Sequence, residues 1–200
     1  MEHIHPVFDQ ILGREDKERL LNQRGCAIWF AGVSGSGKTT IARHVERELA
    51  ERGILTQVLD GDNIRTGINN NLGFSEEDRS ENIRRIAEVT KLFVHCGVVT
   101  LNCFISPMRE MRTMARDIIG HDDFIEVFVD ASLEECENRD VKGLYKKARA
   151  GQIKNFTGIH APFELPENPH VHVKTDHKSI AACVRQVMDA IAPRISNDKS

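Results

Sequence analysis

"CAIWFAGVSGSGKTTIARHVEREL", Cys26 to Leu49, decides the fold of this chain. It opens with a short apolar run, Cys26 to Gly32, which reads as a buried strand. It closes with Ile41, Val45 and Leu49 at four-residue spacing, the apolar stripe of a helix that Gly53 stops. Between the two lies "GVSGSGKTT", where Gly32, Gly37, Lys38 and Thr39 fill the fixed places of G-x-x-x-x-G-K-[ST]. Glycines there let the backbone curl until its N–H groups converge on one point. The helix that starts near Lys38 aims its positive end at the same point. Such a loop cradles phosphates: Lys38 reaches the β/γ-phosphates and the Thr39 hydroxyl ligates Mg²⁺. The strand before and the helix after distinguish it from a flexible Gly/Ser linker.

Outward from this unit the alternation continues. "LTQVLD", "GVVTLNCF", "FIEVFVD" and "HVHVK" also read as buried strands. A second stripe, Ile83, Ile86, Ala87, Thr90, Phe93 and Val94, stops at Gly97. A third, Ile180, Val184, Val187 and Ile191, is ended by Pro193. Strand–helix alternation predicts right-handed crossovers and an α/β fold, a parallel five-stranded sheet flanked by helices. In such a sheet ligands gather at the carboxyl ends of the strands.

The 200 residues suit one domain. A net charge of −3 gives no field to attract nucleic acid or an anionic membrane, so neither is an expected partner. No apolar run approaches the ~20 residues that span a bilayer. The N-terminus lacks the basic and apolar regions of a signal peptide. Five cysteines without a CxxC pair read as reduced core residues of a cytoplasmic protein. The nine histidines show no metal-ligand spacing.

Two further stretches carry chemistry. "LDGDNIRTGINNNLGFS", Leu59 to Ser75, puts Asp60, Asp62, Arg65 and the Asn69–Asn71 amides at the end of a strand. Turn formation alone explains Asp-Gly-Asp-Asn. Arg65, Asn69, Arg79 and Asn82 together favour a polar substrate pocket, with Phe74 as a flat apolar surface among them. A phosphoryl-transfer enzyme needs an oriented hydroxyl and a metal ion to share charge. Asp62 suits either task, and Asp60 suits ordering the turn or the metal shell. The second stretch, Arg139 to Gly158, has six cations against one acid and is interrupted by Gly143 and Gly151. It reads as a basic lid that closes over phosphates, with Phe156 available to stack on a base. GTPases add an N-K-x-D element that is absent from the sequence. ATPase motors need a longer chain. A small-molecule P-loop kinase remains.

"GVSGSGKTT", "LDGDNIRTGINNNLGFSEEDRSENIRR", "FISP" and "RDVKGLYKKARAGQIKNFTGI" together resemble the adenylylsulfate kinase (APS kinase) family. The likeness runs from Arg24 to Val187. It divides the chain into an N-terminal extension, 1–23, and a kinase domain, 24–195. The resemblance implies transfer from ATP to the 3′-hydroxyl of adenylyl sulfate, with Mg²⁺, in a homodimer. It assigns Gly32, Val33, Ser34, Gly35, Ser36, Gly37, Lys38, Thr39, Thr40 and Arg139 to ATP. Asp62, Asn63, Ile64, Arg65, Asn69, Phe74, Arg79, Asn82, Ile105, Ser106, Lys142, Asn155 and Phe156 go to adenylyl sulfate. Phe74 and Phe156 would clamp its adenine from two faces. Lys38, Asp62 and Ser106 are the catalytic candidates, and Thr39 with Asp62 the metal ligands. Ser106 matches a serine that bacterial members are described as phosphorylating, although direct in-line transfer needs no such intermediate. The chain departs from the family pattern at Met108, Asn155 and Phe163. Two other readings compete: a regulatory module that binds nucleotide without turnover, and a nucleoside or sugar kinase.

Overall fold

The structure is a computed structural model that describes residues 10–196, with His5 and Val7. Five parallel strands form one sheet in the order β2-β3-β1-β4-β5. They are β1 (Ala27–Ala31), β2 (Thr56–Asp60), β3 (Val99–Cys103), β4 (Phe124–Asp130) and β5 (Val171–Lys174). The helices are α1 (Arg14–Leu21), α2 (Lys38–Glu51), α3 (Gly61–Arg65), α4 (Glu76–His95), α5 (Arg109–Ile119), α6 (Leu133–Arg139), α7 (Leu144–Arg149) and α8 (Ile180–Ile195).

Side-chain alternation along β1 explains the layering. Ile28 and Phe30 point to one face, where they pack with Ile41, Val45 and Leu49 of α2 and Val184, Val187 and Ile191 of α8. Ala27, Trp29 and Ala31 point to the other, against Ile83, Ile86 and Ala87 of α4 and Met111 and Ala115 of α5. Each of these large apolar side chains contributes roughly 1.5–3 kcal/mol by leaving water.

Not all five apolar runs are buried strands. β1 and β3 are buried throughout, but β2 and β5 form the sheet edges. In β2 only Leu59 is buried, and β5 alternates buried with exposed residues. Pro193 does not end α8 either. The helix runs on to Ile195, because a proline in the last turn removes one N–H without blocking the residues after it. Gly53 and Gly97 do serve as stops, each with positive φ just beyond a helix.

The described residues before β1 pack against the rest of the fold. The Arg14 guanidinium forks onto Asp123 and donates to the Gly25 carbonyl. The fully buried Gln23 side chain donates to the Leu55 and Gly97 carbonyls and accepts from the Leu55 N–H. These bonds lie at the amino ends of the strands, so the carboxyl ends stay open for the site.

Candidate active site

The loop after β1 is held from outside by its own carbonyls. Tyr145 donates its hydroxyl to the Ser34 oxygen at 2.8 Å. Arg139 donates to the oxygens of Gly35 at 3.2 Å and Ser36 at 3.4 Å, and Thr175 donates to Ser36 at 3.0 Å. With these carbonyls tied down, the first-turn N–H groups of α2, which have no helical acceptor, face an open end. Gly32 is required by crowding: a Cβ there would lie 2.4 Å from the Val129 oxygen. Gly37 is required by conformation, since its φ of 104° caps α2 from the left-handed region. The fit to a polyphosphate is therefore built into the backbone.

Lys38 lies back along this loop. Its ammonium donates to the Gly32 and Val33 carbonyls at 2.8 and 2.7 Å. Burial lowers its pKa to about 8, partly opposed by Asp60 and the neighbouring thiols. The Thr39 hydroxyl donates to the Asp60 carboxylate at 2.7 Å. Asp60 also caps α3 by accepting from the Asp62 N–H at 3.1 Å. Thr39 and Asp60 thus put two hard oxygen ligands side by side on an exposed surface, a donor set that suits Mg²⁺. Among the described residues no group of three or more His, Cys, Asp or Glu side chains forms a metal cage.

Asp62 reaches a different partner. Its carboxylate pairs with Lys142 of the basic segment, and both side chains are more than half exposed. The segment itself is not a loose strap. Tyr145, Ala148 and Phe156 pack with Cys136 in a small third core, joined by Val33, Ile153 and Ile159. Only its rim, including Val141, Lys142, Lys146, Lys147 and Lys154, is exposed.

A second group of predicted residues meets around Arg79. The Arg79 guanidinium donates to the Phe74 oxygen, the Thr157 hydroxyl and the Asn155 oxygen, each at 3.0 Å. It brings the Phe74 turn and the Asn155–Thr157 segment together. Arg65 donates to the Leu72 and Gly73 carbonyls and lies 4.5 Å over the Phe74 ring. The two aromatics differ: Phe74 is 66% exposed, whereas Phe156 is 8% exposed and meets Tyr145 edge-on.

Other predicted residues point inward. Asn69 and Asn82 are buried and bond to each other at 3.0 Å. Ile64 packs against the core on the α4 side. Asn63 caps the turn after α3 by accepting from Thr66. Thr40 is exposed, and its carbonyl bonds to His44. Ser106 is 2% exposed and sits at φ 44°. Its hydroxyl accepts from the Trp29 indole N–H at 2.9 Å and lies 3.4 Å from the Phe104 carbonyl. A hydroxyl so enclosed is a structural acceptor here. Beside it, the N–H groups of Ile105 and Ser106 have no acceptor among the described residues.

Sequence reasoning did not single out Thr175, Tyr145 or Trp29, and gave Asp60 only a supporting part. Asp60 was legible as the last residue of a strand before a turn. Thr175 follows β5 directly and was legible as a polar residue at a strand's carboxyl end.

Comparison with known proteins agrees with this geometry. The family model for adenylylsulphate kinase matches residues 24–174. The chain is 60% identical over 194 residues to an adenylyl-sulfate kinase of Bacteroides fragilis, covering 97% of this chain and 96% of the relative. It is 51% identical over 185 residues to one from Clostridium kluyveri, covering 92% of each. Among solved structures it is similar to the Mycobacterium tuberculosis APS kinase CysC in complex with AMPPNP and APS. The TM-score is 0.81 at 49% identity, covering 84% of this chain and 98% of that one. With its phosphate cradle, the facing acids and these relatives, the chain belongs to the adenylylsulphate kinase family.

Proposed function

We propose that this protein transfers the γ-phosphoryl group of ATP to the 3′-hydroxyl of adenylyl sulfate, giving 3′-phosphoadenylyl sulfate and ADP. The observation that carries this reading is the meeting of the cradle and the Asp60–Asp62 turn through Thr39, backed by the family membership. In the reaction the 3′-oxygen forms a bond to the γ-phosphorus as the bond from that phosphorus to the bridging oxygen of ADP breaks. Asp62 takes the hydroxyl proton. Its pairing with Lys142 supports this role, because a lysine that withdraws toward the sulfate or phosphate of the substrate frees the carboxylate. Lys38 leaves the Gly32 and Val33 carbonyls for the phosphate oxygens, where charge grows during transfer.

A magnesium ion, held by Thr39 with Asp60 or Asp62 nearby, would neutralise charge between the β- and γ-phosphates. Arg65, Phe74, Arg79, Asn155 and Phe156 form the substrate side. Arg79 supports that assignment by holding two of its segments together. Ser106 belongs to this pocket through its backbone, and transfer is direct. The kinase domain spans 24–195, and the protein acts as a homodimer. Its five cysteines are all free, four of them buried, which fits a reducing cytoplasm.

The test is a product assay by mass spectrometry with adenylyl sulfate, AMP and gluconate as competing acceptors, and NMR to read the phosphorylated position. Product from adenylyl sulfate at the 3′ position supports the reading. Product from AMP or gluconate instead makes the protein a different kinase. Binding of adenylyl sulfate without turnover makes it a regulatory module.

A further inference from the structure

At the carboxyl end of β3 the chain turns sharply through Ile105, Ser106 and Pro107 before α5 begins. The turn needs Ser106 in the left-handed region, which a non-glycine residue adopts only where its surroundings enforce it. Trp29 holds the Ser106 side chain, but the backbone is held from a different direction. Arg112, one turn into α5 and 4% exposed, donates to the Ser106 carbonyl at 2.6 Å and lies 3.3 Å from that of Pro107. Its other terminal nitrogen donates to the Glu164 carbonyl at 2.7 Å. Its Nε faces the Glu126 carboxylate on β4 at 2.9 Å. Glu164 closes the ring by donating its N–H to the Pro107 carbonyl.

One planar guanidinium therefore joins three separate pieces of chain: the β3–α5 turn, the 163–167 segment and β4. A buried guanidinium is costly unless it is paired, and here its terminal nitrogens hold backbone carbonyls while its Nε faces the Glu126 carboxylate. The consequence lies on the far side of the turn. Holding the Ser106 carbonyl fixes the turn just past the carboxyl end of β3, and in that turn lie the N–H groups of Ile105 and Ser106, which have no acceptor among the described residues.

We propose that Arg112 is a positioning residue for adenylyl sulfate: its fork onto the Ser106 and Glu164 carbonyls sets the Ile105–Ser106 peptide donors that face the substrate. The proposal rests on the functional reading above. Arg112 touches no part of the phosphate cradle, so its effect belongs to one substrate and not to the other.

Steady-state kinetics with each substrate varied separately tests this, together with thermal unfolding of every variant. Arg112→Lys keeps a cation beside Glu126 but cannot reach both carbonyls. Its KM for adenylyl sulfate should rise about tenfold, the scale of one lost charge-assisted bond, with the KM for ATP within about twofold. Arg112→Met with Glu126→Leu replaces the buried pair by apolar groups of similar volume, a change that leaves folding intact or improved in many proteins. It should show the same rise in KM for adenylyl sulfate at an unreduced Tm. Glu126→Gln, which leaves the fork in place, should lower Tm while changing that KM less than about twofold.

An unchanged KM for adenylyl sulfate in folded Arg112→Lys overturns the proposal. So does an equal rise for both substrates, or a rise in Glu126→Gln as large as in Arg112→Lys. Failure of both Arg112 variants to fold makes the residue structural and overturns it as well. A wild-type protein inactive on adenylyl sulfate brings down the functional reading itself, and an active wild type alongside a silent Arg112→Lys brings down this proposal alone.

Discussion

Lys38 and Lys142 face the same site under opposite conditions. Lys38 is 9% exposed, tied to two carbonyls of its own loop, and its pKa is drawn down to about 8. Both of its hydrogen-bond partners lie within six positions in sequence. Lys142 has a side chain 57% exposed and reaches Asp62, eighty residues away, through a single ion pair. The loop that Lys38 bonds to is itself fixed by several bonds at once, from Tyr145, Arg139 and Thr175. The Lys142–Asp62 pair rests on one exposed contact that water can compete for. Preorganised donors act on charge that appears during transfer, whereas exposed pairs can exchange partners as a substrate arrives. The division suits a site that holds one end of its reaction rigid and lets the other close.

The largest break in this comparison is Lys38→Ala. Turnover should fall on the order of a thousandfold, the upper range for losing one preorganised donor, while adenylyl sulfate binding survives. Turnover at saturating substrates and calorimetry with adenylyl sulfate check both halves. A pH series sharpens the same point. Lys38 is charged below about pH 8, and its ordinary value is 10.5. As pH rises through about 8 the nucleotide-free protein loses that proton, and ATP binding must then take one up. The KM for ATP should therefore climb above that pH, and buffers of different ionisation enthalpy should reveal the proton uptake.

Asp62→Asn comes next. It keeps the size of the side chain and loses the charge, so turnover should drop about a hundredfold, the usual scale for a general base. An enzyme running at wild-type rate would remove Asp62 from the role given to it. Asp60→Asn should act differently, because Asp60 touches Thr39 and Asp62 does not. It should raise the Mg²⁺ concentration for half-maximal rate about tenfold or more. If the two variants shift the metal requirement equally, the division of labour between the acids is wrong.

The smallest effect on rate belongs to Ser106→Ala. Its hydroxyl is engaged with Trp29, and direct transfer does not use it. Turnover should stay within about tenfold of wild type. Stability should fall by about 1–3 kcal/mol, since the buried indole N–H loses its acceptor. A variant as inactive as Asp62→Asn at full stability would restore Ser106 as a phosphate carrier.

The sequence by itself determined the strands, the helices that follow them and the phosphate loop. Those features repeat over short spans: alternation marks the strands, four-residue spacing the helices, and G-x-x-x-x-G-K-[ST] the loop. Resemblance then supplied the reaction and the roll of pocket residues. What the sequence could not determine is which of those residues face outward. Asn69, Asn82 and Ser106 read as pocket groups but bury their polar atoms against Arg85, Trp29 or each other. Phe156 read as a free stacking ring and is anchored in a small core with Tyr145. The edge position of β2 was hidden for the same reason, since strand order is not written in any one strand. Partners such as Arg112 with Ser106, Arg139 with Gly35, and Lys142 with Asp62 join stretches that only the folded chain brings within bonding distance. Local periodicity comes from neighbours along the chain, and so it is legible there. The satisfaction of a buried donor or charge comes from whatever the tertiary packing puts beside it.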